Sequence, residues 1–376
     1  MTAALTLRDG IASLRDAGIE DAPRDARLLM AKAMGVPADR LTLHLADPLT
    51  AAALQTFTTL LLSRVARQPM AQILGERLFW SRSFEVTRDT LDPRPETEVL
   101  VQEALRQPFQ NMLDLGTGSG CILISCLLDM PDAHGLGTDL SKAALRVAGR
   151  NAVRHALTRA RFAASDWFRA VSDRYDLIVA NPPYIAAADH AKLAPEVRQW
   201  EPKSALTPGG DGLAAYRAIA AGAAAHLTAT GRILLEIGPT QGTAVVALLK
   251  KHGLDAIRIL PDLDGRDRVI VAERSAATQG TTFGPTQGST SGPTQGPTKG
   301  PTQGPTSSPA SGPTPGPTSH ATPGSTSGPT SHATPGPTPG PTPGPTPGAT
   351  RRPKPGKTPG KPPAKPLAKP PGKKPG

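Results

Sequence analysis

Met112-Leu113-Asp114-Leu115-Gly116-Thr117-Gly118-Ser119-Gly120 reads as an apolar strand running into a glycine-rich turn that opens a helix. Glycines let the backbone turn tightly and let a ligand approach the main chain. The third glycine comes at Gly120, so the spacing is GxGxG and not the GxGxxG of dinucleotide folds. Strand-to-helix turns are glycine-rich anyway, so this stretch alone establishes a strand, a turn and a helix. Outward from it the pattern keeps alternating. Strands are expected at 111–115, 134–138, 161–164, 175–180, 232–237 and 268–272, with helices at about 119–129, 141–154, 213–227 and 240–252. Alternating strand–helix units predict an α/β domain whose mostly parallel sheet is covered on both faces.

The ends of these strands carry the candidate chemistry. The second strand ends at Asp139, where a carboxylate can accept both hydroxyls of a ribose. Capping of the helix from Ser141 onward is an equal reading of the same residue. The third strand leads to Ser165-Asp166-Trp167-Phe168. There a carboxylate and a flat apolar wall suit an adenine, and the plainer reading makes Trp167 a core residue. The fourth strand, Tyr175 to Ala180, runs into Asn181-Pro182-Pro183-Tyr184. Such a turn suits methylation of a planar NH2 group, a poor nucleophile because its lone pair is delocalised. The Asn carboxamide oxygen and the carbonyl of Pro182 can accept its N–H bonds and aim the lone pair at a methyl donor. Two prolines fix φ and supply no competing backbone donor, and Tyr184 can stack on the flat group. An ordinary Pro-rich turn is the alternative for the tetrapeptide alone. Matched residues at successive strand ends argue against it. The GxGxG spacing is closer to the glycine loop of methyltransferases than to the NAD fingerprint.

Residues up to about Gly75 read as a small helical module, with Gly18 and Gly35 as stops and an amphipathic helix from Ala51 to Val65. Packing and the gripping of a protein substrate are balanced readings of its role. Phe79 to Val86 reads as a hairpin bridging two domains. Leu91 to Glu98 is a stiff loop opening a helix, Val99 to Leu105, with acidic residues in its first turn. Glu96, Thr97 and Glu98 are read foremost as capping that helix, and secondarily as shaping the donor site. From Ser275 to Gly376 the composition is almost entirely Gly, Pro, Thr, Ser, Gln, Ala and Lys, and no acidic residue remains. Too few apolar residues are present to offset the entropy of ordering, so a disordered tail with polyproline II character is expected. The formal net charge of +11 divides into +10 for residues 275–376 and +1 for residues 1–274. The basicity therefore describes the tail and does not make the globular part a nucleic-acid binder. Cys121 and Cys126 fall in one expected helix without disulfide or metal spacing, and the eight histidines lack metal-site partners, so no metal is expected. Without a signal sequence or a long apolar run, a soluble cytoplasmic protein with no membrane contact is expected.

The chain resembles the bacterial peptide chain release factor N5-glutamine methyltransferases, the PrmC/HemK family, over about residues 5–273. Arg67 to Gly75 resembles the family's R-x-P-x-x-Y-I-L-G segment, and Pro93 to Glu98 its PRPETE loop. Asp114 to Cys121 resembles DLGTGSGC, and Asn181 to Tyr184 resembles NPPY. Glu201-Pro202 with Ala205-Leu206 and Gly209 to Leu213, Leu235 to Gly238 with Gln241, and Asp262-Leu263 with Gly265 to Arg268 resemble its later segments. The resemblance implies a class I AdoMet-dependent methyltransferase: a Rossmann-like seven-stranded sheet with its last strand antiparallel, an N-terminal helical bundle and a β-hairpin connection. It divides the chain into a helical substrate-recognition domain (1–75), a hairpin linker (76–92), a methyltransferase domain (93–274) and the tail (275–376). It implies that Gly116, Thr117, Gly118, Ser119 and Gly120 line the methionine part of S-adenosyl-L-methionine, that Asp139 takes the ribose, and that Asp166 and Trp167 border the adenine. Asn181, Pro182, Pro183 and Tyr184 would hold the Gln of a class I release factor's Gly-Gly-Gln loop, with Asn181, Pro182 and Tyr184 as the catalytic set.

Departures from the family pattern are Asp92 in place of an aliphatic residue, Gln72 in place of an aromatic, and Pro239-Thr240 after the LEIG strand. None is among the residues placed against cofactor or substrate. Rival readings are a glutamine methyltransferase of ribosomal proteins, an N6-adenine methyltransferase, and a non-catalytic ribosome- or RNA-binding protein. The basic tail suggests weak RNA or ribosome contact beside catalysis.

Overall fold

A computed structural model of the chain describes residues 1–274. The expectations for residues 275–376, a disordered tail and RNA or ribosome contact, lie outside the described residues.

The first layer is helical: α1 (Ala3–Asp16), α2 (Ala22–Met34), α3 (Ala51–Val65) and the single turn α4 (Met70–Leu74). In α1 the buried residues Ala3, Thr6, Leu7, Gly10 and Leu14 fall on one face at helical spacing. Gly10 lets the ring of Phe57 on α3 come close: a Cβ there would stand 2.6 Å from it. Helix α3 forms where expected but is less amphipathic than its sequence suggests. Only Phe57 and Arg64 are buried, and Leu62 is 62% exposed.

Strands β1 (Glu76–Phe79) and β2 (Arg82–Glu85) pair antiparallel through a turn at Trp80 and Ser81, both left-handed. Side-chain bonds hold that strained turn. Glu98 accepts from the Trp80 backbone N–H at 2.8 Å, and Asp129 accepts from its indole N–H at 2.6 Å.

The sheet follows the expected alternation: α5 (Glu98–Ala104), β3 (Asn111–Leu115), α6 (Cys121–Asp129), β4 (His134–Asp139), α7 (Lys142–Arg154), β5 (Ala160–Ala164) and β6 (Tyr175–Ala180). Two short helices, α8 (Pro195–Trp200) and α9 (Lys203–Leu206), precede α10 (Ala214–His226), β7 (Leu227–Glu236), α11 (Gly242–Lys251), β8 (Leu254–Pro261) and β9 (Asp267–Arg274). The seven strands lie in the order β5-β4-β3-β6-β7-β9-β8. All neighbours are parallel except β9, which runs antiparallel to β7 and β8.

The period of two along each strand sorts side chains to the two faces. Met112, Leu177, Val179, Leu234 and Val271 join one core with α5 and α6, while Leu113, Ile178, Ile233, Leu235 and Ile270 join the other with α10 and α11. Strand β8 is not among the six expected from the pattern. It is an edge strand with only Leu254 fully buried, and a left-handed Ala256 breaks its register, so it shows neither alternation nor an apolar run. Among the described residues no helix is long and apolar enough to cross a membrane.

Among the described residues, side-chain bonds tie the helical layer to α8. Arg64 pairs with Asp25 at 2.7 Å and with Glu196 of α8 at 3.2 Å, and Arg67 reaches the same Glu196 at 2.9 Å. Gln72, one of the departures from the family pattern, donates to the Trp200 carbonyl, and the Trp200 indole donates to the Ala66 carbonyl.

Candidate active site

Strand β3 has β4 on one side and β6 on the other, so the chain order reverses there. In open α/β sheets such a reversal leaves a crevice beyond the carboxyl ends of the strands. A cavity of about 390 Å³ lies there, within the range of ~300–1,000 Å³ usual for small-molecule sites.

One wall is the turn after β3. Gly116, Thr117, Gly118 and Ser119 line the cavity. Gly120 lies outside that lining. It caps α6 at φ 79°, with the Cβ of Ala148 on α7 only 3.2 Å from where its own Cβ would be. Its role is close helix packing beneath the turn. Asp114 is fully buried, accepts from the Thr117 hydroxyl at 2.7 Å, and keeps Oδ1 without a partner. Burial pushes its carboxyl up to about 7, and the nearby Asp139 charge adds to the shift. Asn151 of α7 ties the turn to the hairpin, donating to the carbonyls of Ser119 and Glu85. Cys121 also borders the cavity, and burial pushes its thiol up to about 12, which removes it as a nucleophile.

Asp139 stands at the end of β4 on the cavity wall. Its Oδ2 accepts from the Gly118 N–H at 3.0 Å and its Oδ1 from the Ser141 N–H at 2.8 Å. The helix cap is Ser141, whose hydroxyl accepts from Ala144. Asp139 therefore organises the loops, and its two oxygens retain lone pairs for ligand hydroxyls. Burial raises its carboxyl above the usual range. Asp166 and Trp167 line the far end, with Trp167 held left-handed at φ 49°. A bulky residue in that conformation carries strain that its surroundings must offset.

The other wall is the turn after β6, where Asn181 and Pro183 line the cavity. Pro182 is buried behind them. Tyr184 is set back against the second core, and burial raises its phenol. Its carbonyl accepts from the Gln241 amide at 2.9 Å, and the other end of that amide accepts from the Gly238 N–H. Gly212, at φ 79°, passes so close that a Cβ would lie 2.5 Å from the Tyr184 carbonyl oxygen. The GGxDGL and LEIG segments thus meet at the back of the Asn-Pro-Pro-Tyr turn.

Thr97 stands at the start of α5, as expected of a helix cap, but its side chain makes no capping bond. It lines the cavity and donates to Glu236 at 2.6 Å, and Asn181 Nδ2 donates to it at 3.2 Å. Arg94, also on the wall, holds buried Glu201 through both carboxylate oxygens at 2.6 and 2.8 Å. Asp92 lies beside it, buried, 3.7 Å from Arg77 and 4.0 Å from Arg94. Both PRPETE and EPxxAL therefore close over the same space. Arg94, Glu201 and Glu236 lie within the PRPETE, EPxxAL and LEIG segments, but nothing local in those segments signals that they meet around this turn.

The cavity fits the group that the fold implies. A flexible glycine turn with a buried acidic partner suits an amino-acid moiety, Asp139 suits a ribose, and Asp166 with Trp167 suits a flat heterocycle carrying an exocyclic amine. Fold and cavity together define a class I methyltransferase that uses S-adenosyl-L-methionine. Comparison with known proteins narrows the class. A profile described as the PrmC N-terminal domain matches residues 6–75, and one described as a methyltransferase small domain matches residues 87–214. A release factor glutamine methyltransferase of Cereibacter sphaeroides is 58% identical over 278 residues, covering 74% of this chain and all of that protein. Another, from Rhodospirillum rubrum, is 44% identical over 268 residues, covering 70% of this chain and 82% of that protein. A solved release-factor-specific protein-(glutamine-N5) methyltransferase from Alicyclobacillus acidocaldarius is 33% identical, with a TM-score of 0.31 over 51% of this chain and 99% of its own. The chain belongs to the release factor glutamine methyltransferase family.

Proposed function

We propose that this chain methylates the N5 side-chain amide of the Gln in the Gly-Gly-Gln loop of class I peptide chain release factors, in the cytoplasm where those factors act. The observation that carries this reading is the shared cavity. The Gly116–Ser119 turn and Asn181 with Pro183 face one space, so a methyl donor and a planar amide can meet there. Bound S-adenosyl-L-methionine supplies the methyl group on a sulfonium. The chain holds the donor and aligns the acceptor, and alignment of two reactants in a water-poor site supplies most of the acceleration.

Asn181 Oδ1 and the Pro182 carbonyl accept the substrate N–H bonds. Those bonds strengthen as positive charge grows on the nitrogen, which stabilises the transition state. Tyr184 supports the turn from behind. Residues 1–75 act as the grip for the protein substrate, residues 76–92 as a linker and residues 93–274 as the catalytic domain. The bonds from Arg64, Arg67 and Gln72 to α8 support this, because α8 lies in the segment that follows the Asn-Pro-Pro-Tyr turn.

The test is to incubate the protein with S-adenosyl-L-methionine and a bacterial release factor, beside a factor whose Gly-Gly-Gln glutamine is replaced. Peptide mass spectrometry is expected to find one methyl on that Gln and none in the replaced factor. Donor binding without transfer would overturn the substrate assignment.

A further inference from the structure

Two residues outside the motif turn determine which end of Asn181 faces the substrate. Asn181 Nδ2 donates to Thr97 Oγ1 at 3.2 Å, and Thr97 Oγ1 donates to Glu236 Oε2 at 2.6 Å. Thr97 is 2% exposed and Glu236 1%, so water does not compete for these bonds. A hydroxyl has a single proton, and an ionised carboxylate only accepts. The Thr97 proton is therefore committed to Glu236, and Thr97 can meet Asn181 only as an acceptor. Asn181 must turn its NH2 toward Thr97, which leaves Oδ1 as the polar atom it offers to the cavity. A free carboxamide at the same place would flip, and its NH2 would then oppose the N–H bonds of the substrate.

We propose that Glu236, acting through Thr97, is a positioning pair that locks the Asn181 carboxamide with its oxygen toward the reacting amide. This rests on the reading of Asn181 as the acceptor of substrate N–H bonds. The groups facing Glu236 are Arg268 on β9, Arg94 and Glu96 from the loop before α5, Tyr184 behind the turn, Tyr216 on α10 and Cys121 on α6. Burial, offset by Thr97 and Arg268, leaves the Glu236 carboxyl at about 7. Below that pH it becomes a donor, the Thr97 proton is released, and the lock on Asn181 loosens.

The test compares Thr97→Val, Thr97→Ser, Glu236→Gln and Asn181→Ala in the full chain with S-adenosyl-L-methionine and a release factor. Thr97→Val is expected to lower kcat about 10²-fold, the scale of one lost polar contact to the transition state. Donor Kd should stay near wild type, the thermal midpoint should fall because buried Glu236 loses its Thr97 bond, and Thr97→Ser should restore most of both losses. The wild-type kcat should fall as pH drops through about 7, and Glu236→Gln should be slower at high pH and lack that fall. Thr97→Val at the wild-type kcat, or a pH fall that survives in Glu236→Gln, would overturn the proposal. If Thr97→Val fails to fold, the pH profile of Glu236→Gln decides alone. Loss of turnover in Asn181→Ala but not in Thr97→Val would sink the lock and leave the role of Asn181 standing. Full turnover in Asn181→Ala would sink both.

Discussion

The turn at Gly116–Ser119 takes its shape mostly from its own βα unit and the next strand and helix, through Asp114, Asp139 and Asn151. The turn at Asn181–Tyr184 is held by Thr97, Glu236 and Gln241, residues 84 positions before Asn181 and 57 after Tyr184 among them. The proposed donor turn thus draws mainly on the strand–helix units that follow it, and the proposed acceptor turn on residues from opposite ends of the sheet domain. Many enzymes share the first requirement, because many bind the same donor. The second differs with the substrate, so it is built from parts distributed along the chain.

The sharpest way to break this contrast is to disturb the acceptor turn from a distance. Gly212→Ala should lower kcat about 10²-fold, because a shift of about 1 Å in a reacting group costs that much. The added Cβ meets backbone at 2.5 Å and the residue sits at φ 79°, so the turn has to move. Donor affinity by calorimetry should be unchanged, and a parallel loss of donor binding would show the two walls to be coupled. Asp139→Ala should do the reverse. Losing two hydrogen bonds to a charged group, worth ~1.5–3 kcal/mol each, predicts donor Kd at least about 100-fold weaker. The kcat at saturating donor should hold near wild type, and a collapse of kcat would refute the division.

The smallest effect concerns Asp114. Its carboxyl lies at about 7 when folded against the ordinary 3.8. Between those values the folded chain keeps a proton that the unfolded chain has released, so stability from this group falls as pH rises through the window. Asp114→Asn should therefore gain on wild type at pH 8 relative to pH 5, by about 3 °C or more in Tm. An equal difference at both pH values would mean that Asp114 is not a buried acid.

The same contrast explains what the sequence discloses. Gly116 to Ser119, Asp139, Asp166, Trp167 and Asn181 each stand at the carboxyl end of a strand, and strands announce themselves through period and apolar runs. Residue type at a strand end then suggests the ligand group it meets. The bond from Thr97 to Glu236 spans 139 positions and leaves no local trace, so Thr97 looks like a helix cap and Glu236 like part of a strand. Gly120 belongs to the glycine run by spelling but to helix packing by position. Strand β8 escapes because an edge strand interrupted by a left-handed residue has lost the alternation that would reveal it.

The bonds between the helical layer and α8 bear on how parts of this protein can be exchanged with its relatives. Arg64 is buried between Asp25 and Glu196, one partner inside residues 1–75 and the other far along the chain. Without Glu196, Arg64 keeps Asp25, but it and Arg67 both lose the carboxylate that ties them to α8. A chimera cut cleanly at Gly75 separates Arg64 and Arg67 from Glu196. A graft of the first seventy-five residues together with 195–201 keeps these bonds and should be more stable than a simple fusion at Gly75.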